Sequence, residues 1–250
     1  MLPPYSDMSF TVKGTECGPD SRLAPNVLLG DLQETADKGA GDCGYDRYDL
    51  KKLGACWIIL RMRVRYRRLP DWRETFSVRT WSTGVQKFYF DREYEIRGED
   101  GEIIGEGTST WILADINTHR PLIPAKVEGL PKETVQQDRL VFGQMARAVK
   151  IPDRDTLSGE PAILKYADHS ELDHNHHVNN TRYIAWALDA LYKQGIDADR
   201  TNEILITYSS EVHPGQKVEI FTDRTEEGLY TVYGYKNDGK KVFAAEISLY

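Results

Sequence analysis

With 250 residues and 40% hydrophobic content, the chain has material for one large domain or two smaller ones around a substantial core. A formal net charge of −7 argues against a general nucleic-acid binder, and an acidic partner would have to meet a local basic patch. No apolar run approaches the ~20 residues of a membrane span, the first residues lack a signal or transit layout, and Cys17, Cys43 and Cys56, scattered without CxxC spacing, fit a reducing, cytoplasmic setting.

Taken in order, Ser9 to Gly14 alternates weakly and predicts a first strand. Pro25-Asn26 opens an apolar-periodic stretch, Leu28, Leu32, Ala36 and Ala40, closed by Gly41 and Gly44, which predicts a helix of about four turns. From Cys56 to Arg68 the even positions are apolar, while Arg61, Arg63, Arg65 and Arg67 fall on the odd ones. This predicts a strand with one buried and one basic face, and it puts Cys56 in the core. Strands are predicted over Thr75–Trp81, Lys87–Arg97 and Glu102–Asp115, with Asp100-Gly101 as a type I′ hairpin turn. One helix followed by long antiparallel strands is an α+β unit.

Residues 117–159, with Pro121, Pro124, Pro131 and Pro152 among many charges, read as a surface connector. The first half then recurs: a strand Ala162–Tyr166, a helix, and strands Glu203–Val212, Gln216–Thr222, Leu229–Lys236 and Lys241–Leu249. Pro70 before a strand ending in Thr80 parallels Pro214 before one ending in Thr222, and Asp100-Gly101 parallels Asp238-Gly239 about 140 residues on. The order of elements predicts an internal duplication.

The densest chemistry lies in Leu172–Ile184, which holds three of the six histidines with Asp173, Asn175, Asn179 and Asn180. Tyr183, Trp186, Ala187, Ala190 and Leu191 predict a helix behind it, N-capped by Asn179 or Asn180. Free amides and the positive dipole end at that start would suit a carbonyl that turns negative. Asp173, Asn175 and His177 stand at alternate positions and project together if the loop is extended. Glu211, at the end of the Ile204–Ser210 strand, is a second candidate carboxylate. Two carboxylates, an imidazole and an amide suffice to activate water and polarise a carbonyl.

Blander readings compete. Asp173, His174, His176 and His177 could ligate zinc, but no second ligand pair waits elsewhere, so no metal is expected. The histidines could form a polar capping loop, Glu211 a solvated strand end, and the arginine stripe a solvated face. None of the three cysteines borders the cluster, which argues against a thiol nucleophile.

Leu172-Asp173-His174-Asn175-His176-His177-Val178-Asn179-Asn180-Thr181-Arg182-Tyr183-Ile184-Ala185-Trp186 resembles the signature of the acyl-acyl-carrier-protein thioesterases of plant plastids and bacteria. Tyr208-Ser209-Ser210-Glu211 resembles that family's strand ending in glutamate. In the first half Asn26–Leu32, Trp57–Arg61, Tyr66 through Trp72, Val78–Trp81 and Thr108–Trp111 follow family order, so the resemblance covers roughly residues 8–250.

The resemblance implies an α+β double hotdog, two tandem units each wrapping an antiparallel sheet around a central helix. It divides the chain into an N-terminal unit with the acyl-chain pocket over 1–118, a connector over 119–159, and a C-terminal catalytic unit over 160–250. It implies hydrolysis of fatty acyl-acyl carrier protein to free fatty acid, which ends chain elongation, without a cofactor. The residues it carries over are Asp173, Asn175, His177 and Glu211. Asp173 or Glu211 would be nucleophile or base, His177 the proton carrier, and Asn175 with helix-start amides the oxyanion holder. Plant members place a cysteine after the glutamate; here Val212 stands there, so an acyl-cysteine route has no candidate at that position. The acidic carrier protein is the expected partner, with the Arg61–Arg67 stripe as a docking surface. Either a monomer or a homodimer is expected. A hotdog 3-hydroxyacyl-thioester dehydratase or hydratase and a non-catalytic acyl-thioester-binding module are the alternatives.

Overall fold

The computed structural model describes residues 2–250, which form two compact units. The first comprises residues up to Ala24 with Leu28–Ala146, the second Pro25–Val27 with Arg147–Tyr250, so the division falls inside the stretch 119–159. Among the described residues no helix is long and apolar enough to cross a membrane.

The first unit contains β1 (Ser6–Thr11), α1 (Pro25–Asp42), α2 (Arg47–Lys52), β2 (Ala55–Tyr66), β3 (Thr75–Gln86), β4 (Tyr89–Arg97) and β5 (Ile103–Asp115). Its antiparallel sheet runs β1-β3-β4-β5-β2. The second contains β6 (Ile163–Tyr166), α3 (Arg182–Lys193), β7 (Thr201–Tyr208), β8 (Lys217–Glu226), β9 (Leu229–Lys236) and β10 (Lys241–Leu249). Its sheet runs β6-β8-β9-β10-β7, also antiparallel. Both units therefore have one strand order, first-third-fourth-fifth-second, with a helix between the first and second strands. Each is a hotdog, and the chain is a double hotdog of class α+β.

Helix α1 is about five turns long, not four, because Gly41 does not stop it. The chain leaves it one turn later, where Gly44 takes φ 79° and the Tyr45 amide reaches back to the Ala40 carbonyl. Its buried side is Leu28, Leu29, Leu32, Ala36, Gly39 and Ala40. Gly39 has a packing reason: a Cβ there would lie 2.4 Å from Nη1 of Arg92, so the glycine admits a buried guanidinium from β4. Helix α2 was not expected. It starts at Asp46, whose carboxylate accepts the Asp49 amide at 2.8 Å.

Strand β2 departs from its simple alternation. A bulge leaves Leu60 without a partner between the pairs Ile59–Trp111 and Arg61–Thr110. One extra residue exchanges the two faces. Ala55 and Ile59 are buried before it, Met62, Val64 and Tyr66 after it, and Cys56 is only half-buried rather than core. The arginine stripe is also not bare. The guanidinium of Arg63 lies 4.2 Å from the centre of the Phe142 ring, Arg61 lies 5.4 Å from that of Tyr89, and Arg67 pairs with Glu102 at 3.0 Å.

Strand β4 buries Asp91, Glu93 and Glu95 at alternate positions. Glu93 accepts from Thr108 Oγ1 at 2.6 Å and from the Val141 amide at 2.9 Å, and burial pushes its carboxyl up to about 7. The folded chain thus keeps a proton that the unfolded chain releases above its ordinary value of 4.5. The stabilisation from that proton is full below this value and is lost as pH rises to about 7. Glu93→Gln should remove this contribution to the slope and leave that of Asp31, whose carboxyl burial also raises to about 7. Denaturant melts at pH ~5 and ~8 should show wild type losing about 1–3 kcal/mol relative to the variant.

The hairpin turns differ from type I′. In Gly98–Glu102 the Gly101 amide donates to the Gly98 carbonyl, Gly98 N–H to the Glu102 carbonyl, and only Gly101 has positive φ. That is a type I turn followed by a bulge residue. Lys236–Lys240 makes the same two bonds with Gly239 in the same role, as the duplication predicts.

Candidate active site

The histidine-rich segment is a miniature copy of these turns. Leu172 bridges Val178, the Asp173 amide donates to the His177 carbonyl at 2.9 Å, and the His176 amide donates to the Asp173 carbonyl at 3.0 Å. His176 occupies the position glycine holds in the hairpins, with φ 63°. The extended loop expected from the alternate spacing is therefore replaced by a closed turn. Its geometry still unites two of the three residues, because Asp173 and His177 flank the mouth of the turn. Asn175 is exposed at the tip, and its amide donates to Asp173 Oδ1 at 2.7 Å. His176→Gly should relieve the left-handed backbone and raise stability by about 0.5–1 kcal/mol. His176→Val should lower it, and thermal melts of the two variants check both signs.

His177 stands between two carboxylates. Its Nδ1 is 3.5 Å from Asp173 Oδ2 and 3.3 Å from the Val178 carbonyl, and its Nε2 is 3.8 Å from Glu211 Oε1. Asp173 is the more enclosed carboxylate, its side chain 14% exposed against 34% for Glu211. His213 Nε2 lies 3.9 Å from the other oxygen of Glu211. Among the described residues no group of three or more His, Cys, Asp or Glu is arranged to hold a metal ion.

Glu211 does not close a strand. β7 ends at Tyr208, because the Ser209 and Ser210 amides both turn to the Val242 carbonyl. Glu211 lies three residues farther on and is brought to His177 by the bond from the Val178 amide to the Val212 carbonyl, 2.8 Å. Both valines are fully buried, forming an apolar floor under the polar cluster.

Behind the loop the N-cap of the helix is Thr181, without a side-chain cap bond, rather than Asn179 or Asn180; Asn179 Oδ1 instead accepts the Thr181 amide at 2.9 Å and the Thr181 hydroxyl at 2.8 Å just ahead of the helix. The amides of Arg182, Tyr183 and Ile184 donate to the carbonyls of Asn179, Asn180 and Thr181 in a tight first turn. The helix-start amides expected to be free thus have acceptors within the chain. Helix α3 buries Tyr183, Ile184, Trp186, Ala187, Ala190 and Leu191 and packs on β6, β8, β9 and β10.

One residue of the site was not foreseen. Glu171 accepts Trp186 Nε1 at 2.7 Å and lies 3.5 Å from Arg182 Nη2, while its carbonyl accepts the Asn179 amide at 2.9 Å. It ties the loop to the helix. Its key partner is 15 residues away, and no local spacing announces it.

The first unit repeats this scaffold with other side chains. Gly18 N–H donates to the Arg22 carbonyl, Ser21 N–H to the Gly18 carbonyl, Ser21 has φ 63°, and Cys17 bridges Leu23. The Ala24 amide donates to the Glu16 carbonyl as Asn179 does to Glu171, and Leu23 to Pro70 as Val178 does to Val212. These bonds align Pro70 with Val212, not with Pro214. Gly18, Asp20, Arg22 and Leu69 then occupy the places of Asp173, Asn175, His177 and Glu211.

Two family models match the chain: the acyl-ACP thioesterase N-terminal domain over residues 5–127 and the C-terminal domain over 162–249, which spans all four candidate residues. The chain belongs to the acyl-ACP thioesterase family. It is 24% identical over 236 residues to oleoyl-acyl carrier protein thioesterase 1 of Arabidopsis thaliana, covering 87% of this chain and 63% of that protein. It is 28% identical over 213 residues to a palmitoyl-acyl carrier protein thioesterase of Gossypium hirsutum, covering 81% of this chain and 51% of that protein. The chain therefore spans between half and two thirds of these relatives' length. An acyl-ACP thioesterase from Bacteroides thetaiotaomicron shares the fold with TM-score 0.80 at 23% identity, over 99% of this chain and 98% of that one. The 12:0-ACP thioesterase from Umbellularia californica does so with TM-score 0.79 at 19% identity, over 100% of this chain and 98% of that one.

Proposed function

We propose that the chain hydrolyses the thioester of a fatty acyl group carried on acyl carrier protein, releasing free fatty acid and ending chain elongation. The observation that carries this reading is His177 between Asp173 and Glu211, at 3.5 and 3.8 Å, inside the segment matched by the family's C-terminal domain. Nδ1 of His177 has two acceptors, Asp173 and the Val178 carbonyl, which favour the proton on that nitrogen and leave Nε2 basic toward Glu211. In the proposed reaction Glu211 and His177 Nε2 take a proton from water as its oxygen attacks the acyl carbonyl carbon. The carbon–sulfur bond then breaks and the thiolate recovers the proton. Asp173 orients the imidazole and balances its charge, and Asn175 polarises the carbonyl.

In the same reading residues 160–250 supply the catalytic unit, 119–159 the connector, and 1–118 the acyl-chain pocket. The acidic carrier protein remains the proposed partner, but Arg61 and Arg63 pack against aromatic rings, so the stripe is a poor choice for its docking surface. Free thiols at Cys17, Cys43 and Cys56 support a reducing, cytoplasmic compartment. Two hotdog units in one chain suit a monomer, and a homodimer is compatible.

Thiol release from a panel of acyl-acyl carrier proteins, ~C8 to C18, tests the reading, since each methylene changes burial measurably. Free thiol and fatty acid are the expected products. Enoyl or hydroxyacyl thioester would point to the dehydratase, and tight acyl binding without thiol release to a binding module. Either result would overturn the hydrolase.

A further inference from the structure

On the hydrolase reading, Asp173 and His177 have to meet Glu211 at a fixed spacing, yet all three lie outside any helix or strand. The first two are carried by a narrow ladder with two rungs. The Asn179 amide donates to the Glu171 carbonyl and the Asp173 amide to the His177 carbonyl, both at 2.9 Å. The arm 177–179 is joined to the Glu211 segment by the Val178 amide on the Val212 carbonyl, 2.8 Å. The arm 171–173 is held by a side chain: Glu171 Oε1 accepts the Trp186 indole N–H at 2.7 Å, and Arg182 Nη2 lies 3.5 Å from the same oxygen. Trp186 is fully buried, so this bond ties the ladder to the packed side of α3.

The first unit supplies the comparison. Each loop begins with a three-residue 3-10 turn that ends in glutamate, Gly14–Glu16 in the first unit and His169–Glu171 in the second. At the same offset, buried Leu28, Leu29 and Leu32 of α1 match buried Tyr183, Ile184 and Ala187 of α3, and Asp31 falls on Trp186. The Glu16 carbonyl accepts the Ala24 amide as that of Glu171 accepts Asn179. Its carboxylate, however, is engaged by Lys13, Oε2 by the backbone amide at 2.9 Å and Oε1 by Nζ at 2.8 Å, and an acid stands where the indole would be. The same turn and the same Leu23-to-Pro70 bond thus form while the glutamate faces away from the helix. Closing the turn does not require the link. It is made in the unit that has an imidazole and two acids to align, whereas Gly18, Arg22 and Leu69 hold those places in the other.

We propose that Glu171 is a positioning residue: its bond to the Trp186 indole fixes the ladder that sets Asp173 and His177 opposite Glu211. Two variants separate this role from stability. Glu171→Gln removes the charge but keeps an oxygen to accept the indole N–H. Ile247→Val thins the core on β10, at a fully buried residue outside the loop, and serves as a control for weakened packing.

The experiment compares Glu171→Ala, Glu171→Gln, Trp186→Phe, the Glu171→Ala/Trp186→Phe pair and Ile247→Val in the full chain, below the Tm of every variant. The substrate is the acyl-acyl carrier protein that wild type turns over fastest. Glu171→Ala and Trp186→Phe should each lower kcat about tenfold with KM within about twofold, because a small displacement of reacting groups is costly. The pair should lose less than about twofold beyond Glu171→Ala, since both changes break one bond. Glu171→Gln should stay within about twofold of wild type, and Ile247→Val should keep its kcat despite a lowered Tm. A second readout needs no turnover: the Cε1–H resonance of His177 should move in Glu171→Ala and Trp186→Phe and stay in place in Ile247→Val. Wild-type kcat in Glu171→Ala, with or without a lowered Tm, would overturn the proposal. So would an equal loss in Glu171→Gln, which would assign the effect to charge, or in Ile247→Val, which would assign it to packing. Were wild type to release no thiol, the hydrolase reading would fall. The His177 resonance would then decide the positioning claim, and an unmoved signal in Glu171→Ala would reject it.

Discussion

Asp173→Asn should lower kcat by about 10²–10⁴-fold while acyl-thioester binding persists. The asparagine is chosen because Asp173 has two jobs. Its Oδ1 accepts the Asn175 amide at 2.7 Å and shapes the turn, and its Oδ2 faces His177 Nδ1 at 3.5 Å. Asparagine keeps an oxygen for the first job and lacks the charge for the second. Asp173→Ala loses both, so it should also lower Tm, whereas Asp173→Asn should melt close to wild type. Single-turnover thiol release with a binding assay on the same acyl-acyl carrier protein separates the effects. Near-normal turnover in Asp173→Asn would remove the carboxylate from the mechanism and leave it only its turn-forming role.

Trp186→Ala should destabilise the chain by about 3–5 kcal/mol, a large share of an ordinary domain's stability. Trp186 is fully buried on α3, so truncation opens a cavity that the helix and sheet cannot close. It also takes the indole N–H from Glu171, whose side chain is only 11% exposed and would keep just Arg182 at 3.5 Å. Trp186→Phe divides the effect: the ring stays, the donor goes, and the expected cost falls to about 1–2 kcal/mol. Urea midpoints at constant m measure both. Equal losses in the two variants would mean that the hydrogen bond, not the packing, dominates.

Strands β9 and β10 were legible to the residue, Leu229–Lys236 and Lys241–Leu249, because Asp238-Gly239 punctuates two alternating runs. Strand β2 was legible as a strand but not in phase. The Leu60 bulge is set by pairing with β5, about fifty residues on, and the pattern of β2 alone does not contain it. The same limit applies at the site. Asp173 and His177 were found by residue type and by resemblance, but the reason they meet is a turn with His176 in a conformation usually left to glycine, which spacing does not reveal. Glu211 was found as a carboxylate closing a predicted strand and again by resemblance, but it lies three residues beyond the true strand end. Glu171 carries no local signal, since its role exists only once helix α3 has folded back on the loop.

The repeated loop has a consequence for counting. Only one of the two turns carries an imidazole flanked by acids; the other presents Gly18, Asp20 and Arg22 on the same bonds, with Leu69 where Glu211 would be. A tight, non-hydrolysable acyl-thioester analogue should therefore saturate at one equivalent per chain, despite the twofold repetition of the backbone. Duplication has in this sense separated two demands that a lone unit meets with one set of residues. Both turns hold a non-glycine residue, Ser21 or His176, in the left-handed conformation, so in the proposed reading what sets 173–177 apart is the reactive side chains alone.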